Sequence, residues 1–260
     1  MLVFEGEYLN GKKNGNGKEL YDNGILKFEG RYLNGEKWDG KGIEYYYDSE
    51  KLKFEGEYKN GKKNGKGKEY NYDGKLEFEG EYLNDESWNG KINEFNYEGK
   101  LIFKGEFLKG LKNGNGKEYN YDGILKFEGE YLNGERNGKG REYDKNSNLI
   151  FEGEYLNGEK WNGKIKDYHN NGKLEFEGEY LNGKRNGLGK EYNYDGKLQF
   201  EGIYLKGKRN GKGKEFYNNG QLKLEGEYKN DIVWNGKIFN MYGIVKMEIK
   251  DGNKYYSKYK

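Results

Sequence analysis

Residues 54–77 read FEGEYKNGKKNGKGKEYNYDGKLE. Phe54, Gly56 and Tyr58 alternate with Glu55, Glu57 and Lys59, the period of two that a half-buried strand requires. The Asn60–Gly65 segment reads as a turn, because Asn and Gly take positive φ at low cost. A second strand is expected from Gly67 to Tyr72, with Lys68, Tyr70 and Tyr72 on one side and Glu69 and Asn71 on the other. Asp73-Gly74 then signals a two-residue hairpin, and Leu76 and Phe78 resume the apolar alternation. The unit is a β-hairpin joined to its successor by another tight turn.

Close variants of the opening phrase begin at Phe4, Phe28, Phe54, Phe78, Phe103, Phe127, Phe151, Phe176, Phe200 and Leu224, at intervals of 24 to 26 residues. A fixed period in this range marks a repeat array in which each unit packs on its neighbours. The expected fold is all-β: an elongated, single-layer antiparallel β-meander of about twenty strands, spanning on the order of 90–100 Å at about 4.8 Å per strand. It twists, because strands carry a right-handed twist, and it has one aromatic groove face and one charged face. The array is read as a single domain over residues 1–260, with a degenerate C-terminal cap at 245–260. Mid-strand glycines such as Gly30, Gly56 and Gly80 leave room for a ring from the adjacent strand, a known stabilising arrangement in sheets.

Charged residues make up 35% of the 260 positions, which alone would suit a disordered chain. Aromatic residues at 17%, returning in register, argue for order. The 47 basic and 45 acidic side chains nearly cancel, too balanced for the counterion release that nucleic-acid binding relies on. Cysteine is absent, so no disulfide or thiolate metal site exists. Met1-Leu2-Val3 runs straight into the first repeat, no apolar run has the length of a membrane span, and a cytoplasmic setting is expected, peripheral to membrane or cytoskeleton in two of the functional readings below.

The phrase at Phe176 to Gly189, Phe-Glu-Gly-Glu-Tyr-Leu-Asn-Gly-Lys-Arg-Asn-Gly-Leu-Gly, resembles the MORN repeat (membrane occupation and recognition nexus), and the resemblance covers nearly the whole chain. It implies an elongated single-layer sheet with a groove of stacked aromatics and a scaffold role at cytoskeletal or membrane structures. Some members bind partner helices in the groove, and lipid-headgroup binding is ascribed to others. The unit here is about one residue longer than the common pattern and usually starts with Phe instead of Tyr, which resembles a variant subclass.

Departures between repeats supply the candidate sites. Trp38, Trp88, Trp161 and Trp234 are each inserted before an Asn-Gly or its equivalent, and Ile92, Ile165 and Ile238 follow three of them. Trp anchors many interfaces; it can equally cover the neighbouring hairpin. Phe54, Tyr58, Tyr70, Tyr72 and their equivalents are assigned to the aromatic face as partner-binding residues, since a large apolar face usually marks an interaction site, although stacked rings can also satisfy one another. The basic turn pairs Lys12-Lys13, Lys62-Lys63, Lys184-Arg185 and Lys208-Arg209 are candidate contacts for acidic lipid headgroups, interrupted by Glu36, Glu86, Glu135 and Glu159. Phe4 to Leu9 and Val245 to Tyr256 are expected as edge strands, and open edges invite self-association.

Catalytic chemistry has little footing. His169 is the only histidine, in an Asn-rich turn. Ser49, Ser87, Ser147 and Ser257 lie in no nucleophile motif, and the Gly-x-Gly pieces lack a following helix. No cofactor or metal is expected. The leading reading is a non-catalytic scaffold that binds a protein segment along the aromatic face. The alternatives are a peripheral module for acidic phospholipid using the basic turns, and a self-assembling structural rod.

Overall fold

The computed structural model describes residues 3–47 and 49–256. The chain falls into two compact units, Met1–Glu135 and Arg136–Lys260. In the first lie β1 (Phe4–Leu9), β2 (Lys12–Leu20), β3 (Leu26–Leu33), β4 (Glu36–Tyr45), β5 (Leu52–Lys59) and β6 (Lys62–Tyr70). They continue through β7 (Leu76–Leu83), β8 (Glu86–Phe95), β9 (Leu101–Leu108), β10 (Leu111–Tyr119) and β11 (Leu125–Leu132). The second holds β12 (Glu135–Tyr143), β13 (Leu149–Leu156), β14 (Glu159–Tyr168), β15 (Leu174–Leu181), β16 (Lys184–Tyr192) and β17 (Leu198–Leu205). It ends with β18 (Lys208–Phe216), β19 (Leu222–Lys229), β20 (Ile232–Phe239), β21 (Val245–Lys250) and β22 (Asn253–Tyr256).

Within each unit every strand pairs antiparallel with the next in sequence. The all-β, single-layer meander expected from the repeat is the observed fold class. The last hairpin refines the expectation for Val245–Tyr256. β21 is paired on both sides, by β20 and β22, so only β22 is an outer strand there; Ser257 to Lys260 lie outside the described residues.

Two turn types alternate. Asn60 (φ 52°) and Gly61 (φ 80°) form a two-residue turn with positive φ at both positions, the twist-matched form that favours Asn-Gly. The sequence reading carried this turn to Gly65, but Lys62 already opens β6. Asn64-Gly65 instead belongs to a bulge: Tyr58 pairs with Lys63 and Gly56 with Gly67, so Glu57 faces three residues. Glu57 Oε2 accepts the Lys66 N–H at 2.9 Å, which replaces the ladder bond the bulge gives up.

The other connection differs from the two-residue hairpin expected at Asp73-Gly74. The Asn71 N–H donates to the Lys75 carbonyl at 2.9 Å and the Gly74 N–H to the Asn71 carbonyl at 2.9 Å. The Asn71 side chain accepts from the Asp73 and Lys75 N–H groups. Only Gly74 has positive φ, so an Asx-type turn closed by a left-handed glycine makes the link. Tyr72 therefore lies in a loop, outside any strand.

The four tryptophan hairpins have their own register. In β13–β14, Tyr155 pairs with Lys160, Glu154 with Asn162 and Gly153 with Gly163, so Trp161 alone is bulged out. In β15–β16, Gly187 and Leu188 are both left over between Asn186 and Gly189. Lengthening the sequence by one residue while shortening the bulge by one slides the strand two places. A two-residue slip keeps every side chain on its face. Ile165 consequently stands opposite Phe151 and Gly178, where an ordinary hairpin places Glu191 opposite Phe176 and Gly189 opposite Gly178.

The core is a double row of rings on one face. Phe28, Phe54, Phe127, Phe176 and Phe200 are fully buried, and Tyr32, Tyr58, Tyr82, Tyr204 and Tyr228 nearly so. Each Phe meets a Tyr edge-on in its own repeat or the next, as in Phe54–Tyr58 at 5.8 Å and Phe54–Tyr82 at 5.2 Å. Such pairs contribute about 0.5–1.5 kcal/mol beyond their buried area. The mid-strand glycines make the close approach possible. A Cβ on Gly67 would lie 2.8 Å from Phe54 Cε2 and 3.1 Å from Tyr82 Cδ2.

Candidate interaction surfaces

The aromatic face is closed by its own side chains. Lys63 Nζ lies 4.0 Å from the Phe54 ring centroid, and the guanidinium carbons of Arg185 and Arg209 lie 4.0 Å from those of Phe176 and Phe200. Carboxylates knit this cover together. Lys63 pairs with Glu44 at 3.3 Å and Glu69 at 3.7 Å, while the Tyr58 hydroxyl donates to Glu44 at 2.6 Å and Tyr82 to Glu69 at 3.1 Å. Burial pushes the Glu44 carboxyl up, but the Tyr58 hydroxyl and the Lys63 ammonium outweigh it and leave it below the usual glutamate value. Burial, then the Glu44 hydrogen bond, raise the Tyr58 hydroxyl.

This arrangement separates residues that the sequence reading grouped. Phe54 and Tyr58 are core residues at 0% and 8% exposure. Tyr70 is on the opposite face: its hydroxyl donates to Glu55, whose Cα partner is Lys68. Alternation along β6 sets Tyr70 on the face of Lys68, and the bulge in the next pairing falls on β7, where Glu77 is left over between Leu76 and Phe78. Tyr72 is exposed in its loop, stacked edge-on against Tyr46 at 5.2 Å.

The basic turn pairs divide in the same way. Lys12, Lys62, Lys184 and Lys208 are exposed, whereas Lys13, Lys63, Arg185 and Arg209 turn inward over the rings. Arg209 also pairs with Glu191 and with Glu215. The tryptophans are all half-buried. The Trp161 ring lies against Gly183 in the turn of the following hairpin, Trp38 against Gly61 and Trp234 against Gly252. In each case the glycine N–H donates to the Trp carbonyl, and Gly110 does the same to Trp88.

The opposite face carries the open space. In the second unit a groove of about 950 Å³ runs over residues 149–227. Backbone at Gly178, Gly189, Gly202, Gly213 and Gly226 forms part of its lining. Its walls hold a row of alternating charge, one residue per strand, because the register sets Lys166 beside Glu177, Lys190, Glu201, Lys214 and Glu225 in turn. Two of these contacts close as ion pairs, Lys190–Glu177 at 3.6 Å and Lys214–Glu225 at 3.5 Å. Leu188 also lines the groove and is 71% exposed. The sequence reading did not single out this groove. Its signals were the departures at Leu188 and Ile203, which only the strand register brings together.

Among the described residues no group of three or more His, Cys, Asp or Glu is placed to hold a metal ion, and no helix is long and apolar enough to cross a membrane. His169 Nε2 lies 3.0 Å from the Tyr192 carbonyl in the next loop.

A single layer of antiparallel hairpins, stacked through Phe, Tyr and Gly in phase, defines a β-repeat protein. The sequence pattern described as the MORN repeat matches residues 4–25, 54–75, 103–124, 127–148 and 176–197, and the MORN repeat variant matches 42–60, 161–182 and 209–230. Together they cover more than half of the sequence, and the chain belongs to the MORN-repeat family. Such repeats are generally non-catalytic modules associated with protein or membrane interaction. No curated protein matches the chain. Among solved structures, TarM is 18% identical over 37% of this chain and 20% of its own, with TM-score 0.21. The TcdB2-TccC3-Cdc42 structure is 14% identical over 95% of this chain and 14% of its own, with TM-score 0.25. The Photorhabdus luminescens Tc holotoxin pore gives 14%, 90%, 14% and 0.24 for the same quantities. The chain thus spans a fifth or less of these structures, and superpositions this loose carry nothing over from them.

Proposed function

We propose that this chain is a non-catalytic scaffold that binds a protein segment on its sheet surface, in the groove of the second unit. One observation carries the reading: the rings are buried under a cover of cations and carboxylates, while the glycine-lined groove of about 950 Å³ on the other face stands open. The sequence reading placed the partner on the aromatic face. Docking there would first require Lys63, Arg185, Arg209 and their carboxylate partners to be displaced, with the loss of cation–π contacts of about 0.5–2 kcal/mol each. The groove requires no such rearrangement.

Affinity capture from the protein's own cells tests this. The unmodified chain is compared with a variant carrying Glu177→Lys, Glu201→Lys and Glu225→Lys, all outside the ring core. A partner held by the first and lost from the second supports groove binding. Equal capture by both moves the site elsewhere.

A further inference from the structure

The cation that covers a ring stands opposite the tyrosine of its own hairpin, as Lys63 does opposite Tyr58 and Lys160 opposite Tyr155. Lys63 lies over Phe54 at 4.0 Å, faces Tyr82 of the next hairpin at 5.9 Å, and is held between Glu44 and Glu69. Hairpin β7–β8 carries Ser87 at this place, opposite Tyr82. Among the described residues no Lys or Arg lies over the Phe78 ring. The ring that a cation at position 87 would face in the next hairpin is Phe107. It is half-buried, where Tyr32, Tyr58, Tyr131 and Tyr155 are buried. Val233 departs at the same place, but there Leu224 replaces the phenylalanine, and Glu215 keeps both Arg209 and Lys223.

A second departure falls on the same carboxylate. The residue bulged out before the phenylalanine position is Lys27 in β3 and Lys223 in β19, and these reach Glu19 at 3.0 Å and Glu215 at 3.1 Å. In β7 that residue is Glu77, beside Glu69. Glu69 keeps Lys63 at 3.7 Å and the Tyr82 hydroxyl at 3.1 Å, but it has neither the bulge lysine nor the cation of the next hairpin. Glu94, on the other side of Ser87, accepts from Lys112 at 2.9 Å and gains no tyrosine hydroxyl, because Phe107 stands in the tyrosine's place. Burial, then the Glu69 charge, raise the Glu77 carboxyl above the usual glutamate value.

We infer that this place in the first unit binds an aliphatic diamine of the polyamine class. One ammonium lies over the Phe78 ring between Glu69 and Glu94, as Lys63 lies over Phe54, and the other joins Glu69 to Glu77. The choice of ligand comes from the two missing cations, which belong to one carboxylate and so lie close together. At Glu19 two such cations, Lys13 and Lys27, each reach the same Oε1 at 3.0 Å. A short apolar chain with an ammonium at each end reproduces that pair, and its methylenes cover Phe107 as a lysine stem covers a neighbouring ring. A hydrated metal cation has no such stem. A chain of net charge +2 attracts cations little as a whole, so binding would be local. The inference is independent of the groove reading for the second unit.

The test titrates putrescine into the full chain by isothermal calorimetry. Butylamine, with one ammonium on the same carbon chain, and potassium chloride at matched ionic strength are the controls. Putrescine is expected to bind, butylamine to bind about tenfold more weakly, and the salt to give no heat of binding. Ser87→Lys and Glu77→Lys each put back the residue type that other hairpins carry at that place. Each is expected to weaken putrescine about tenfold. The two together should abolish its binding and raise the melting temperature of the free chain, because the cations are then built in. No binding of putrescine by the unmodified chain, or equal binding by the double variant, overturns the site. Equal affinity for butylamine overturns the diamine and assigns the place to a single ammonium, such as a partner's lysine side chain. A double variant that melts below the unmodified chain shows that these places do not accept cations, and overturns the inference as well.

Discussion

The guanidinium carbon of Arg185 lies 4.0 Å from the centroid of the Phe176 ring, and this contact stands for the way a single-layer sheet protects its aromatic side. Among the described residues no second sheet or helix covers the rings within the unit; basic side chains lie across them and are held by carboxylates. Arg185 pairs with Glu191 at 3.1 Å in this role. Replacing Arg185 with Ala removes both the cation and the aliphatic stem, and is expected to cost about 1–2 kcal/mol. Urea unfolding of the variant checks this, and an unchanged midpoint would show that the cover contributes nothing.

The glycines under the rings give a second expectation. A Cβ at Gly189 would stand 2.8 Å from Phe176 and 3.0 Å from Tyr204. Gly189→Ala is expected to destabilise by about 2–3 kcal/mol through overpacking. Gly123, in a loop with φ of 83° and open space around it, should cost only about 1 kcal/mol on the same change, for its left-handed backbone. The two melting curves should fall in that order.

Alkaline pH should unfold the protein cooperatively. Burial first, and then the neighbouring carboxylates, raise the hydroxyls of Tyr32, Tyr58, Tyr204 and Tyr228 above the ordinary tyrosine value. A group held neutral in the fold contributes stability that is fully present below its unfolded pKa, and this is lost as pH rises through the folded one. The loss therefore begins above about pH 10. Tyrosinate absorbance and sheet circular dichroism should change together. Gradual ionisation of all tyrosines with the sheet intact would contradict the account.

The repeat made much of this legible. Phe54, Gly56 and Tyr58 declared one face by alternation, and Asn60-Gly61 declared the hairpin turn. Alternation set Tyr70 beside Lys68, and only its ring grouped it with Phe54 and Tyr58; Asn64-Gly65 misled because a bulge and a longer turn use the same residue types. The tryptophan register was hidden for the same reason. A one-residue insertion looks like a longer turn until the pairing shows Ile165 opposite Phe151. Lys63 and Arg185 read as turn cations because nothing in a sequence distinguishes a lysine facing water from one lying on a ring.

Trp161 packs on the turn glycine of the following hairpin. Trp161→Ala is expected to lower stability by about 1–2 kcal/mol, scaled to its half-burial, and to leave partner capture unchanged at temperatures where the fold is intact. Capture lost without a change in melting would make Trp161 a contact residue instead.

The central claim is that the partner lies on the Glu/Lys face, over the groove. A photoreactive amino acid placed at Lys190, within the groove, and separately at Lys184, exposed at the start of β16 beside the turn, tests it most directly in cells. The account predicts a protein adduct at Lys190 and none at Lys184. Adducts at Lys184 with none at Lys190 would contradict it and return the search to the turn edge.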